Sequence, residues 1–176
     1  MILQNLNAND IQKYQQNRHP CFFVDYIKEV VVGKSAIGYK SFSYNEWFFP
    51  SHFSDEASVP GFIQMESLAQ VFLMTFLTIK GNEGQKTAFI KSNVEFKKKI
   101  VPGNILEINA KLDSYNRGIA KGSAIAYLRG VNIVDVIESK LDSITTNGGG
   151  GELACKGEFV IAIPSVLKQY TPKIKR

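Results

Sequence analysis

Between Phe62 and Ile79 the chain carries about eighteen residues that would be apolar on nearly every side of a helix. Gln64, Glu66, Ser67 and Gln70 interrupt the run near its first end. A helix that is greasy all round has to be enclosed, by lipid or by protein. Crossing a bilayer takes roughly 20 mostly apolar residues with few charges. With a carboxylate and two amides inside it, this run reads as a core helix wrapped by other elements, and no membrane span is expected.

What surrounds the helix reads as strand. Residues 22–32 and 35–43 are rich in β-branched and aromatic side chains and are separated by Gly33-Lys34, a hairpin-like break. Residues 87–96, 105–115 and 119–128 follow, with turns at Pro102-Gly103-Asn104 and Asn116-Arg117-Gly118. A last stretch, 152–163, closes the sheet. One long buried helix after two strands, then a run of antiparallel strands, is an α+β arrangement. Between Leu128 and Glu152 lies an insertion, at about 129–151. Val134, Ile137, Leu141 and Ile144 recur there at a helical spacing, but its β-branched residues suit an extra strand equally well.

The whole chain, 1–176, is expected to form a single domain with a short basic tail, Lys168, Lys173, Lys175 and Arg176. Its 44% hydrophobic and 21% charged residues are ordinary globular usage. The first seventeen residues lack a basic segment followed by an apolar one, so no signal peptide is expected and the protein is placed in the cytoplasm. Cys21 and Cys155 stand far apart, without metal-ligand spacing, and read as small buried hydrophobes.

Two residues stand out as chemistry. His52 sits in a loop rich in Pro, Ser and acidic residues, and Glu66 sits fourteen positions later inside the apolar run. A neutral imidazole is available near pH 7 as a general base. A carboxyl in apolar surroundings holds its proton more tightly, because burial penalises the anion, and so serves as an acid. Pro60-Gly61 opens the helix, and the Gly61 N–H has no intrahelical acceptor and stands at the positive end of the dipole. Gln70 lies one turn beyond Glu66 on the same face, where it either bonds the carboxyl or packs. Base, acid and oxyanion donor are what eliminating water from a 3-hydroxyacyl thioester requires.

These residues also carry a resemblance. The stretch from His52 to Gln70 resembles the signature G-H-F-P-G-x-P-x-x-P-G-x-x-x-x-E-A-x-x-Q of the 3-hydroxyacyl-acyl-carrier-protein dehydratases of the FabA/FabZ type. His52-Phe53, Pro60-Gly61, Glu66 and Gln70 fall at its spacing. Residues 17–25 resemble the family's H-R-Y-P-x-L-L-V-D opening, Gly33-Lys34-Ser35-Ala36 its second-strand start, and residues 96–104 its F-x-x-x-V-x-P-G-D turn. The likeness covers about 14–128 and 151–163. Departures cluster around His52: Ser51 replaces a glycine, and Ser54-Asp55 replaces P-G. The opening has become N-R-H-P, with His19 where the family has tyrosine.

The resemblance implies a hot-dog fold, a curved antiparallel sheet round one long central helix. It implies a lyase with His52 and Glu66 catalytic, Gly61 and Gln70 binding the substrate, and no metal or other cofactor. The acyl chain would arrive on the phosphopantetheine arm of an acyl carrier protein. It further implies a homodimer with sites at the subunit interface, possible as a trimer of dimers. The net charge of +5 and the run Lys97-Lys98-Lys99 fit either a solvated face or docking of that acidic carrier by Lys97 and Lys99, on one face of an alternating strand. No nucleic-acid motif accompanies the basic residues. A hot-dog thioesterase, which would leave His52 idle, and a non-catalytic acyl-binding protein are the competing readings.

Overall fold

The computed structural model describes residues 1–53, 55–129 and 151–170. The insertion at about 129–151 and the last residues of the basic tail therefore lie, almost entirely, outside the described residues. Seven strands form one antiparallel sheet: β1 (Ile2–Asn7), β2 (Tyr26–Val31), β3 (Ser35–Ser41), β4 (Ala88–Phe96), β5 (Ile105–Asn116), β6 (Ile119–Arg129) and β7 (Glu152–Ala162). Their spatial order is β1-β2-β3-β5-β6-β7-β4. The described helices are α1 (Ala8–Ile11), α2 (Gly61–Leu77) and α3 (Pro164–Leu167).

The sheet wraps α2, which touches β2, β3, β5, β6 and β7. This is the hot-dog arrangement. Thirteen residues of α2 are buried, among them Ile63, Leu68, Phe72, Met74, Phe76 and Leu77. Burying each large apolar side chain is worth on the order of 1.5–3 kcal/mol, so the helix stays inside the sheet. The sheet comes close enough because β3 carries Gly38. A Cβ there would lie 2.8 Å from Val71 Cγ2 on α2 and 2.7 Å from Ile27 Cδ1. Among the described residues, no helix is long and apolar enough to cross a membrane.

Two elements depart from the sequence reading. The strand expected over 22–32 begins only at Tyr26. Upstream of it, the Phe23 N–H and the Cys21 carbonyl bond to the Gln70 side chain of α2, at 2.7 and 2.8 Å, which takes them out of any ladder. The N-terminus, read only as polar, supplies β1 on the edge of β2 and a capped turn of helix. Asn7 accepts from the Asn9 and Asp10 N–H groups, and Asp10 accepts in return from Asn7 N–H. Of the two cysteines, Cys155 is buried and Cys21 is exposed. Cys21 sits where the chain bends round toward β2, so its side chain faces water while its carbonyl serves Gln70.

Candidate active site

The loop that carries His52 is closed on itself. A single 3-10 turn, Phe49–Ser51, delivers the chain to His52, and the Ser58 N–H bonds back to the His52 carbonyl at 3.0 Å. The His52 ring is held by Nδ1, which lies 3.0 Å from the Ser58 carbonyl and 3.3 Å from the Ser58 hydroxyl. A carbonyl oxygen can only accept, so Nδ1 carries the hydrogen and Nε2 of the neutral ring is left with its lone pair. That is the tautomer a general base needs. Behind the loop, Lys40 is buried on β3 and pairs with Glu46 at 2.7 Å and Asp25 at 3.3 Å. Since the Phe49 N–H bonds to the Glu46 carbonyl, this ion group around Lys40 anchors the turn leading to His52.

Glu66 lies one turn into α2 and faces a cavity of about 100 Å³, lined besides by Asn17, Ala69, Leu73, Thr87, Phe89 and Ile161. Burial holds its carboxyl above the usual range, opposed by hydrogen bonds from Gln70 and Asn17. Gln70 Nε2 donates to Glu66 Oε1 at 2.9 Å and Asn17 Nδ2 to the same oxygen at 3.2 Å. The sequence left Gln70 between bonding and packing; it bonds. Asn17 and Ser58 were missed as site residues. Asn17 stands where the resembling motif has histidine, which was the available signal; Ser58 had none.

Gly61 is the first residue of α2, after Pro60. Among the described residues its N–H has no hydrogen-bond acceptor. A Cβ at this position would lie 3.0 Å from Phe96 Cζ, so a larger residue would press on the Phe96 ring at the helix mouth. His52 and Glu66 share no hydrogen bond or ion pair among the described residues, and His52 does not line the Glu66 cavity.

The lysines are placed differently from the sequence reading. β4 ends at Phe96 and the chain bends at Lys98, so Lys97 and Lys99 do not share the face of a strand. The reason is local: the Lys97 and Lys98 N–H groups both turn onto the Ala154 carbonyl. Lys97 pairs with Glu95 at 2.6 Å, Lys98 with Glu152 at 2.5 Å, and Lys99 with Glu56.

Known proteins resemble the chain in sequence and in fold. A family model described as a FabA-like domain matches residues 16–137. A 3-hydroxyacyl-acyl-carrier-protein dehydratase FabZ of Clostridioides difficile is 32% identical over 159 residues, 90% of this chain and 97% of that protein. A protein of the same name from Clostridium botulinum is 37% identical over 126 residues, 71% of this chain and 88% of its own. Among solved structures, the dehydratase heterocomplex ApeI:P of Xenorhabdus doucetiae superimposes with a TM-score of 0.63 at 13% identity, over 93% of this chain and 97% of that one. The E. coli PaaI protein from the phenylacetic acid degradation operon gives 0.50 at 8% identity, over 75% and 78%. With an enclosed acid one turn into the central helix, a tautomer-locked histidine on the loop before it, and relatives matched along most of its length, the chain belongs to the FabA-like domain family.

Proposed function

We propose that this protein is a hydro-lyase that removes water from 3-hydroxyacyl thioesters of an acyl carrier protein, giving trans-2-enoyl thioesters for fatty acid biosynthesis. The observation that carries this is the Glu66 carboxyl, held toward its protonated form by burial beside a small cavity of mixed polar and apolar lining. His52 Nε2 takes the C2 proton, and the electron pair moves onto the thioester carbonyl oxygen beside the Gly61 N–H. As that oxygen returns its charge, the C2–C3 double bond forms and the C3–O bond breaks. The Glu66 carboxyl protonates the departing hydroxyl, and water leaves. Losing one oxyanion donor costs about 2.7–4 kcal/mol in other enzymes, which sets the scale of the Gly61 contribution. The proton balance closes on these groups alone, without a cofactor.

In this reading the site is completed by a second copy of the chain. His52 of one copy faces Glu66 of the other across a dimer joined along β4, and dimers group in threes. Three facts support it: among the described residues His52 and Glu66 share no hydrogen bond or ion pair and no strand lies on the outer side of β4, and Phe89, Ile90 and Phe96 on β4 are 44%, 55% and 50% exposed. The protein works as one domain in the cytoplasm, and Lys97 and Lys99 help to seat the carrier. The deciding experiment mixes purified protein with a 3-hydroxyacyl thioester and follows enoyl absorbance against thiol release. Enoyl product without thiol supports dehydration. Thiol release would make it a thioesterase, and silence on both channels a binding protein.

A further inference from the structure

The acid is held by only one of its two oxygens. Gln70 cannot turn its amide round: the Phe23 N–H donates to its Oε1 at 2.7 Å while its Nε2 donates to the Cys21 carbonyl at 2.8 Å. Its second N–H therefore has to meet Glu66 Oε1, at 2.9 Å. Asn17 Nδ2 meets the same oxygen at 3.2 Å. Oε2 makes no hydrogen bond among the described residues, and it is not among the fully enclosed polar atoms. We propose that Asn17 is a positioning residue for Glu66: with Gln70 it fixes Oε1 as an acceptor and leaves Oε2 as the oxygen that carries the proton and delivers it to the leaving hydroxyl. This rests on the reading of Glu66 as the acid.

Two features make Asn17 suited to the task. Its place is set by the backbone around it. Arg18 donates to the carbonyls of Gln15 and Asn17 at 2.8 Å and to that of Gln12 at 3.1 Å, and Gln15 donates to the Gln70 carbonyl at 2.7 Å. The segment before Pro20 is thereby tied both to itself and to α2. The second feature is charge. Glu66 is the sole ionisable residue of α2, and β4 and β7 meet the cavity with Phe89 and Ile161. On the N-terminal segment, Arg18 is engaged with carbonyls, and His19 and Cys21 are exposed. Among the described residues of one chain, burial raises this carboxyl and the neutral amides of Gln70 and Asn17 oppose it; in the proposed dimer the other titratable group facing it is His52 of the second copy. Two N–H donors favour the anion that remains once the proton has gone. They therefore stabilise the state the acid reaches in the elimination step.

The test uses the full chain with Asn17→Ala and Asn17→Asp. Glu66 is titrated directly by 13C NMR of protein labelled at glutamate carboxyls, with Glu66→Gln identifying its resonance. Removing a donor to the anion makes the proton harder to lose. Glu66 in Asn17→Ala should thus titrate about one pH unit higher, and Asn17→Asp, which adds a like charge, higher still. Turnover of a 3-hydroxyacyl thioester should fall about tenfold in kcat, the scale of one hydrogen bond, with KM within about twofold. If the alanine variant does not fold, the aspartate variant, of equal size, carries the same titration. An unmoved Glu66 titration in a folded variant overturns the proposal, even where kcat falls, since a merely structural role would give that result. Near-normal dehydration by Glu66→Gln would remove the acid itself and this inference with it. An inactive Glu66→Gln beside Asn17 variants that titrate and turn over normally would overturn this inference alone.

Discussion

At the scale of single residues, the proposed reaction divides its proton transfers between His52 and Glu66. His52→Ala and Glu66→Gln should each lose about 10²–10⁴-fold in dehydration, the contribution of one positioned acid or base, with unchanged circular dichroism. Near-normal turnover in either variant would withdraw the assignment. Glu66 also sets a pH dependence of stability. Its folded-state proton is held more tightly than in the unfolded chain, mainly through burial. Between the unfolded and the raised folded value the native state binds more protons, so stability falls as pH rises through that window. Glu66→Gln, which cannot ionise, should lack this fall, so its Tm should exceed that of the parent on the alkaline side while the two converge in acid. A Tm difference that is the same at all pH values would contradict this. His52, Glu66 and Gly61 stand out as candidates in sequence because one short motif holds all three, and their roles remain part of the proposal. Asn17 does not: it reaches Glu66 across 49 positions, and only the folded chain brings them together.

At the scale of elements, strands were legible where β-branched and aromatic side chains fill a half-buried surface, as in β5 and β6. The helix was legible because so little of it is polar. The reading failed where backbone groups found partners other than a ladder. Phe23 gave its N–H to a glutamine, and Lys97 and Lys98 gave theirs to one carbonyl. The second of these splays the three lysines and lets each meet a carboxylate. Exposed pairs of this kind are worth about 0–1 kcal/mol and give way readily to a stronger partner. Reversing Lys97 and Lys99 to Glu should raise KM for carrier-bound substrate several-fold, an effect that salt erodes over a Debye length of about 8–10 Å. Turnover of a short thioester lacking the carrier should hold. Equal losses on both substrates would assign the lysines to the fold, and no loss on either to a solvated face.

At the scale of the whole molecule, the separation of His52 from Glu66 within one chain becomes a prediction about mixtures. His52→Ala and Glu66→Gln subunits, each inactive alone, should recover up to about half the activity per hybrid dimer, since one of its two sites then has both groups intact. Sedimentation of a fully active monomer would exclude this. The two borders of the sheet also differ in kind. β4 is nine residues long and largely exposed, with Phe89, Ile90 and Phe96 along it. β1 is six residues long, and its pairing with β2 is interrupted at Asn5, which adopts a left-handed φ of 57° and is held there by the Tyr26 hydroxyl. A fibre grows only from a unit that can be extended at both ends. With one receptive border and one blunted by a kinked, short strand, this sheet can be doubled but not polymerised, so a concentrated solution of it should stay clear of strand-by-strand aggregates.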